Sequence, residues 1–184
     1  MILIAGLPGS GKTTISKMMT DLGLPVVSMG DIVREQALKQ GRSSNVGSMN
    51  RFMVELRDRF GEGVVAELTM SKVKEMPQGK IVIDGLRSLE EYEIFKNAAK
   101  KVVLVVVDAD IQTRFKRLSR RGRSDDPKSI SEVRTRDKVE LGVGVSGLLS
   151  KEGIHVKNNK DLESLRTQVL SIAESLSVTR SRTP

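Results

Sequence analysis

The chain has 184 residues, no cysteine and a formal net charge of +8. That length fits one domain with a sizeable core, and the absence of thiols excludes disulfides and thiolate metal sites. No apolar run approaches the ~18 residues of a membrane span. The positive balance favours polyanionic partners, nucleotides or nucleic acids. With no Trp, one Tyr and 3% aromatics, little is offered for single-stranded bases to stack on. The lack of cysteine and an opening directly on a strand, with no signal peptide, lead us to expect a cytoplasmic protein.

Residues 1–6 form a short apolar run of strand type. Gly6-Leu7-Pro8-Gly9-Ser10-Gly11-Lys12-Thr13 follows and matches the phosphate-binding pattern G-x-x-x-x-G-K-[ST] at every required position. Thr13 to Leu22 reads as a helix, stopped by Gly23 and Pro25. Strand, glycine loop and helix are the setting this motif needs. The glycines let backbone N–H groups converge on phosphate oxygens, and the helix N-terminus adds favourable partial charge. Lys12 is placed to reach the β- and γ-phosphates, Thr13 to offer its hydroxyl to Mg²⁺, and Thr14 continues the phosphate-facing turn.

A second strand, Pro25 to Met29, leads into Ser28-Met29-Gly30-Asp31-Ile32-Val33-Arg34. The C-terminal ends of strands are where open α/β sheets bind ligands. Arg34 is a candidate for paired hydrogen bonds to a phosphate; by residue type alone it is more often a solvated surface arginine. Helical patterns at Asp31–Gln40, Arg51–Phe60 and Val64–Met76 exceed what one crossover requires. Residues 31–77 are therefore predicted to form a helical insertion over the substrate.

The third strand, Lys80 to Asp84, ends in Asp84-Gly85-Leu86-Arg87. Asp84 is a Mg²⁺ or Mg-water partner, or the cap of a loop; Arg87 holds a second phosphate, or belongs to a turn. Ser88-Leu89-Glu90-Glu91 fits a capping box. The fourth strand, Lys101 to Val107, is continuously apolar, as in strands buried on both faces. Asp110 caps a helix on which Arg114, Arg117 and Arg121 share one face. Gly122, Arg123 and Asp125-Asp126 then read as a loop. Residues 117–128 form either a short lid of cations for a transferring phosphoryl group, or a solvated basic face or nucleic-acid patch. Ser129 to Glu132 is a second capping box. Arg134 and Arg136 join the cluster, or Arg136 pairs with Glu132 at i,i+4. The last strand, Gly153 to Lys157, holds the single histidine, His155, read as a half-buried strand residue. Asp161 caps a final helix whose apolar face is Leu162, Leu165, Val169, Ile172 and Leu176. Residues 177–184 read as a flexible tail. Strands alternating with helices predict an α/β domain over 1–176: a P-loop NTPase fold with a five-stranded parallel sheet and helices on both faces.

Taken in order, these segments resemble the nucleoside monophosphate kinases, adenylate kinase above all. Gly6 to Thr13 looks like that family's P-loop, and Ser28 to Arg34 is similar to its T-G-D-x-x-R segment. Asp84 to Arg87 resembles its D-G-F-P-R segment, one residue shorter. Arg117, Arg121, Arg123 and Asp125-Asp126 look like its lid arginines and the R-x-D-D that follows. Val133 to Arg136 is similar to the arginine-bearing helix after the lid, and Ile154 to Leu165, with Asn158-Asn159, to the final strand and helix. The adenylate-kinase-related group of archaea is the nearest match, with dephospho-coenzyme A kinase another relative.

The resemblance implies ATP and Mg²⁺ as cofactors and a nucleoside monophosphate, AMP first, as acceptor. It implies phosphoryl transfer by Lys12, Arg117, Arg121, Arg123 and Asp84, with ATP held by Gly6 to Thr14 and near Asn158. It assigns the acceptor to Gly30, Arg34, Arg87, Glu91 and Arg136, and the metal to Thr13 and Asp84. Two departures stand out. The lid is very short, and the glutamine that follows D-G-F-P-R has no match; Glu91 lies nearest. A carboxylate there suits guanine's N1–H and N2–H₂ edge or adenine's N6 amine, or is only the N3 residue of the capping box. The short lid, the missing glutamine and the charge of +8 keep a second reading open, an ATP-switched nucleic-acid or ribonucleoprotein-binding factor.

Overall fold

The computed structural model describes residues 1–42, 46–122 and 126–176. In chain order the elements are β1 (Ile2–Ala5), α1 (Lys12–Asp21), β2 (Val26–Ser28), α2 (Met29–Lys39), α3 (Val46–Phe60), α4 (Val64–Lys74) and β3 (Val82–Leu86). Then come α5 (Leu89–Ala98), β4 (Val103–Asp108), α6 (Ile111–Arg121), α7 (Ile130–Glu140), a π-helical turn (Leu141–Val145), α8 (Ser146–Leu149), β5 (Ile154–Lys157) and α9 (Leu162–Ser175). The strands form one sheet in the order β2-β3-β1-β4-β5, and every neighbouring pair is parallel. Arg123, Ser124 and Asp125 of the expected lid, and the expected tail 177–184, lie outside the described residues.

The continuous apolar strands serve two cores at once. Ile2 and Ile4 of β1 join α1 (Ile15, Met19) and α9 (Val169, Ile172). Leu3 and Ala5, between them, join α2 (Val33), α3 (Phe52, Leu56), α4 (Val65), α5 (Phe95) and α8 (Leu148). In β4, Val105 and Val107 go to the first layer, and Leu104 and Val106 to the second. Side chains alternate sides along a strand, so apolar residues at every position mean burial on both faces.

The four predicted caps, Ser88, Asp110, Ser129 and Asp161, are in place, and Ser28 adds one that was not predicted. The side chains of Ser28, Ser88, Asp110, Ser129 and Asp161 accept hydrogen bonds from the N–H groups of Asp31, Glu91, Thr113, Glu132 and Ser164. Because Ser28 caps α2, that helix starts at Met29, two residues before the predicted insertion begins. β3 also outruns its expected end. It pairs Ile4 with Asp84 and Ala5 with Leu86, leaving Gly85 as a bulged residue at φ +102. Two smaller expectations fail. Leu162 is 64% exposed, because it sits in the first turn of α9, ahead of the part that reaches the sheet. His155 is exposed on the edge strand β5, beside the Lys151 carbonyl.

Candidate active site

The P-loop joins β1 to α1 across the C-terminal end of the sheet. Gly6 (φ +149) and Gly11 (φ +108) are both in the left-handed region, and a Cβ would strike the Val107 carbonyl or the Asn158 amide. The close approach is exploited. Asn158, buried just after β5, donates from Nδ2 to the Ser10 carbonyl at 2.7 Å. Its backbone N–H donates to Asp108 at 2.7 Å, and its Oδ1 accepts from Arg117 Nη2 at 3.1 Å. Arg117 Nη1 reaches the same Ser10 carbonyl at 3.3 Å. Asn158 thus fastens the loop and aims Arg117.

Lys12 folds over its own loop, donating to the Gly6 carbonyl at 2.6 Å and to that of Leu7 at 3.2 Å. Burial lowers its pKa from the ordinary 10.5 to about 8; Asp84 and Glu140 oppose the shift, while Arg87 and Arg114 add to it. Thr13 and Thr14 stand exposed in the first turn of α1 and line the cleft. Asp84 is buried within β3, level with Ile4 and Ser28. Burial raises its pKa, Lys12 and the Ser16 hydroxyl pull it back, and Asp31 raises it again.

A cleft of about 600 Å³ opens beside the loop. Lys12 of α1, Arg87 from the β3–α5 turn, Arg117, Arg120 and Arg121 of α6, and Arg136 of α7 all line it. Arg121 also pairs with Asp126. Arg34, half exposed, pairs with Asp31 and lies over Gly30, outside the lining of this cleft. Glu91 is a correction. It is 1% exposed, and its oxygens accept from the Arg87 backbone N–H at 2.7 Å and from Arg57 Nη2 at 3.3 Å. Burial pushes its pKa up, and both donors draw it down. It braces the turn that carries Arg87 and has no free edge for a substrate.

Arg114 is a second correction. It is 4% exposed and grips both carboxylate oxygens of Asp137, at 2.8 and 2.6 Å. It also donates to the carbonyls of Pro8 at 3.2 Å and Ala109 at 3.1 Å. It ties the P-loop to α7 and leaves the cleft lining to Arg117, Arg120 and Arg121. Glu140 was not signalled at all. It ends α7, is 16% exposed, lines the cleft, and stands 3.8 Å from Arg87 Nε.

Residues 5–134 match a family model described as an AAA domain. The chain is 40% identical over 182 residues to a UPF0200 protein of Thermococcus sibiricus, covering 97% of this chain and 96% of that one. It is 39% identical over 176 residues to the UPF0200 protein of Hyperthermus butylicus, covering 96% and 94%. The chain belongs to the UPF0200 family. Among solved structures, the UPF0200 chain resembles shikimate kinase from Bacteroides thetaiotaomicron with a TM-score of 0.61 at 18% identity, covering 96% of this chain and 97% of that one. It resembles a sugar kinase from Janibacter with a TM-score of 0.59 at 16% identity, covering 98% and 95%. The fold is therefore that of the P-loop kinases. The likeness is to this wider group and does not single out the adenylate kinases.

Proposed function

We propose that this UPF0200 chain is an ATP- and Mg²⁺-dependent phosphotransferase that moves the γ-phosphoryl group to a nucleoside monophosphate or similar phosphorylated acceptor, with AMP the first candidate. One observation carries the reading: Lys12 and five arginines from four segments line a single cleft at the P-loop. Even with Arg121 paired to Asp126 and Arg87 near Glu140, cations gathered in one cleft suit an incoming polyanion, and phosphoryl transfer needs cations around the oxygens of the moving group. A nucleotide held by the P-loop alone does not call for cations on three further segments.

The residues suit ATP and its metal. The loop glycines leave backbone N–H groups open to phosphate, and the Thr13 hydroxyl and Asp84 carboxylate are the oxygens for Mg²⁺. Bound with phosphates, Mg²⁺ needs only one or two protein oxygens and serves to neutralise phosphate charge. Gly6 to Thr14 hold the triphosphate, Asn158 orients Ser10 and Arg117, and Lys12, Arg117, Arg121 and Arg123 balance developing charge. Arg87 and Arg136 hold the acceptor phosphate, with Arg34 and Gly30 of α2 taking part from outside this cleft.

The test is transfer from γ-labelled ATP to a panel of monophosphates and dephospho-coenzyme A, run beside RNA binding on the same variants. Arg121→Ala is expected to lower kcat at least tenfold with little change in either ligand's affinity alone. Intact turnover with lost RNA binding would instead make α6 a nucleic-acid surface. No transfer to any acceptor would end the phosphotransferase reading.

A further inference from the structure

Among the described residues that line the cleft, Glu140 is the one carboxylate among cations. Its side chain is 16% exposed, yet its one ion pair among the described residues is the long contact to Arg87 Nε, 3.8 Å. It accepts no hydrogen bond from a described residue, so its acceptor capacity is unspent. Half-buried on the cleft wall, its oxygens are open to a donor that enters. Its place is fixed from behind. Directly after it the helix passes into the π-helical turn Leu141–Val145, where Gly144 adopts φ +121. A Cβ on Gly144 would lie 3.1 Å from Ser88 Cβ and 3.5 Å from the Arg87 carbonyl. The kink is thus seated on the turn that presents Arg87, and Arg87 and Glu140 enter the cleft as a pair. Glu140 is also close enough to Lys12 to support its charge.

This placement matters for what an acceptor must look like. Glu140 lines the same cleft as Lys12 and Arg87, 3.8 Å from Arg87 Nε, so a phosphate held by Arg87 would bring its own sugar near this carboxylate. An anion would be repelled there, whereas a hydroxyl would donate to it. Resting on the phosphotransferase reading, we propose that Glu140 is a specificity-determining residue that accepts a hydrogen bond from a sugar hydroxyl of the acceptor while Arg87 takes its phosphate. The acceptor is then a sugar monophosphate whose 2′- or 3′-hydroxyl is required. Sites built to receive a substrate hydroxyl discriminate strongly against analogues that lack it, because the site group is left unpaired.

The experiment compares kcat/KM for a ribonucleoside monophosphate with its 2′-deoxy and 3′-deoxy analogues, in the wild type, Glu140→Gln and Glu140→Ala. Melting curves check that each variant is folded. Wild-type protein is expected to favour the ribose form over at least one analogue ten- to hundredfold, the range of one charge-assisted hydrogen bond. In Glu140→Ala that ratio should fall to about one, and Glu140→Gln should keep part of it. Equal use of all three acceptors by the wild type, or a preference untouched in Glu140→Ala, overturns the subsite and leaves the phosphotransferase reading standing. If no acceptor is used, calorimetric titration of the same ligands into the ADP-bound protein decides: discrimination lost with Glu140 supports the subsite. Absence of all binding overturns both.

Discussion

Lys12 carries the clearest consequence at the scale of one residue. With a pKa lowered to about 8, it begins to lose its proton just above neutral pH. Bound phosphate favours the charged form, so ATP binding should take up protons. Affinity is expected to be flat below pH 8 and to fall up to tenfold per pH unit above it. Calorimetry in buffers of different ionisation heats measures the uptake directly. The protein alone should respond with the opposite sign. Its folded-state pKa lies below the ordinary 10.5, so stability rises as pH climbs from about 8 to 10.5. Affinity that stays constant from pH 7 to 10 would rule out Lys12 as the buried ammonium that meets phosphate.

At the scale of elements, α6 and α7 behave as one piece through Arg114 and Asp137, which are 5% and 13% exposed. Deleting one partner strands a buried charge, at a cost of about 3–5 kcal/mol. For a domain of this size, Asp137→Ala should lower Tm by roughly 6–20 °C. It should also weaken ATP binding, because the Pro8 carbonyl loses its fixed donor. Arg114→Met combined with Asp137→Leu should recover much of the stability, though not the grip on the loop. A Tm unchanged by Asp137→Ala would mean that the pair does not hold α7.

The same helices mark the limits of sequence reading. Caps were legible because Ser or Asp three residues ahead of a helical N–H is a local signal, complete within four residues. The face shared by Arg114, Arg117 and Arg121 was legible as well. What periodicity could not say is that Asp137 crosses over the first turn of α6 and removes Arg114 from the ligand side. Glu91 went astray similarly. Its capping-box role was visible, but its burial depended on Arg57 arriving from α3. Glu140 belongs to no motif, and only the kink at Gly144 brings it to the cleft.

For the whole molecule, nucleotide binding should appear as stability. At ligand near 100 times Kd the gain is about 2.7 kcal/mol. That corresponds to a Tm rise of roughly 5–10 °C in a domain this large. Lys12→Ala should shrink the rise with ATP more than with AMP. No shift with any adenine or guanine nucleotide in the presence of Mg²⁺ would remove the basis for the whole assignment. The sheet-wide features were the easiest to foresee, since five apolar runs between helical patterns leave few architectures. The strand order was not, because it depends on which crossovers pass over which neighbours.

The two apolar layers have a further consequence, for heredity and engineering. The helices of the insertion, α2 to α4, rest on the layer that holds Leu3, Ala5, Ile83 and Val106, whereas α1 and α9 rest on the other. The sheet stands between them as a partition. Substitutions among residues 29–79 can therefore accumulate, or be transplanted as a block from a relative, while the packing behind the P-loop stays intact. Any replacement insert need only present an apolar face of similar volume to the same strands. In such a chain the cover on one face of the sheet can change by descent or by design while the residues lining the cleft, all outside 29–79, are kept.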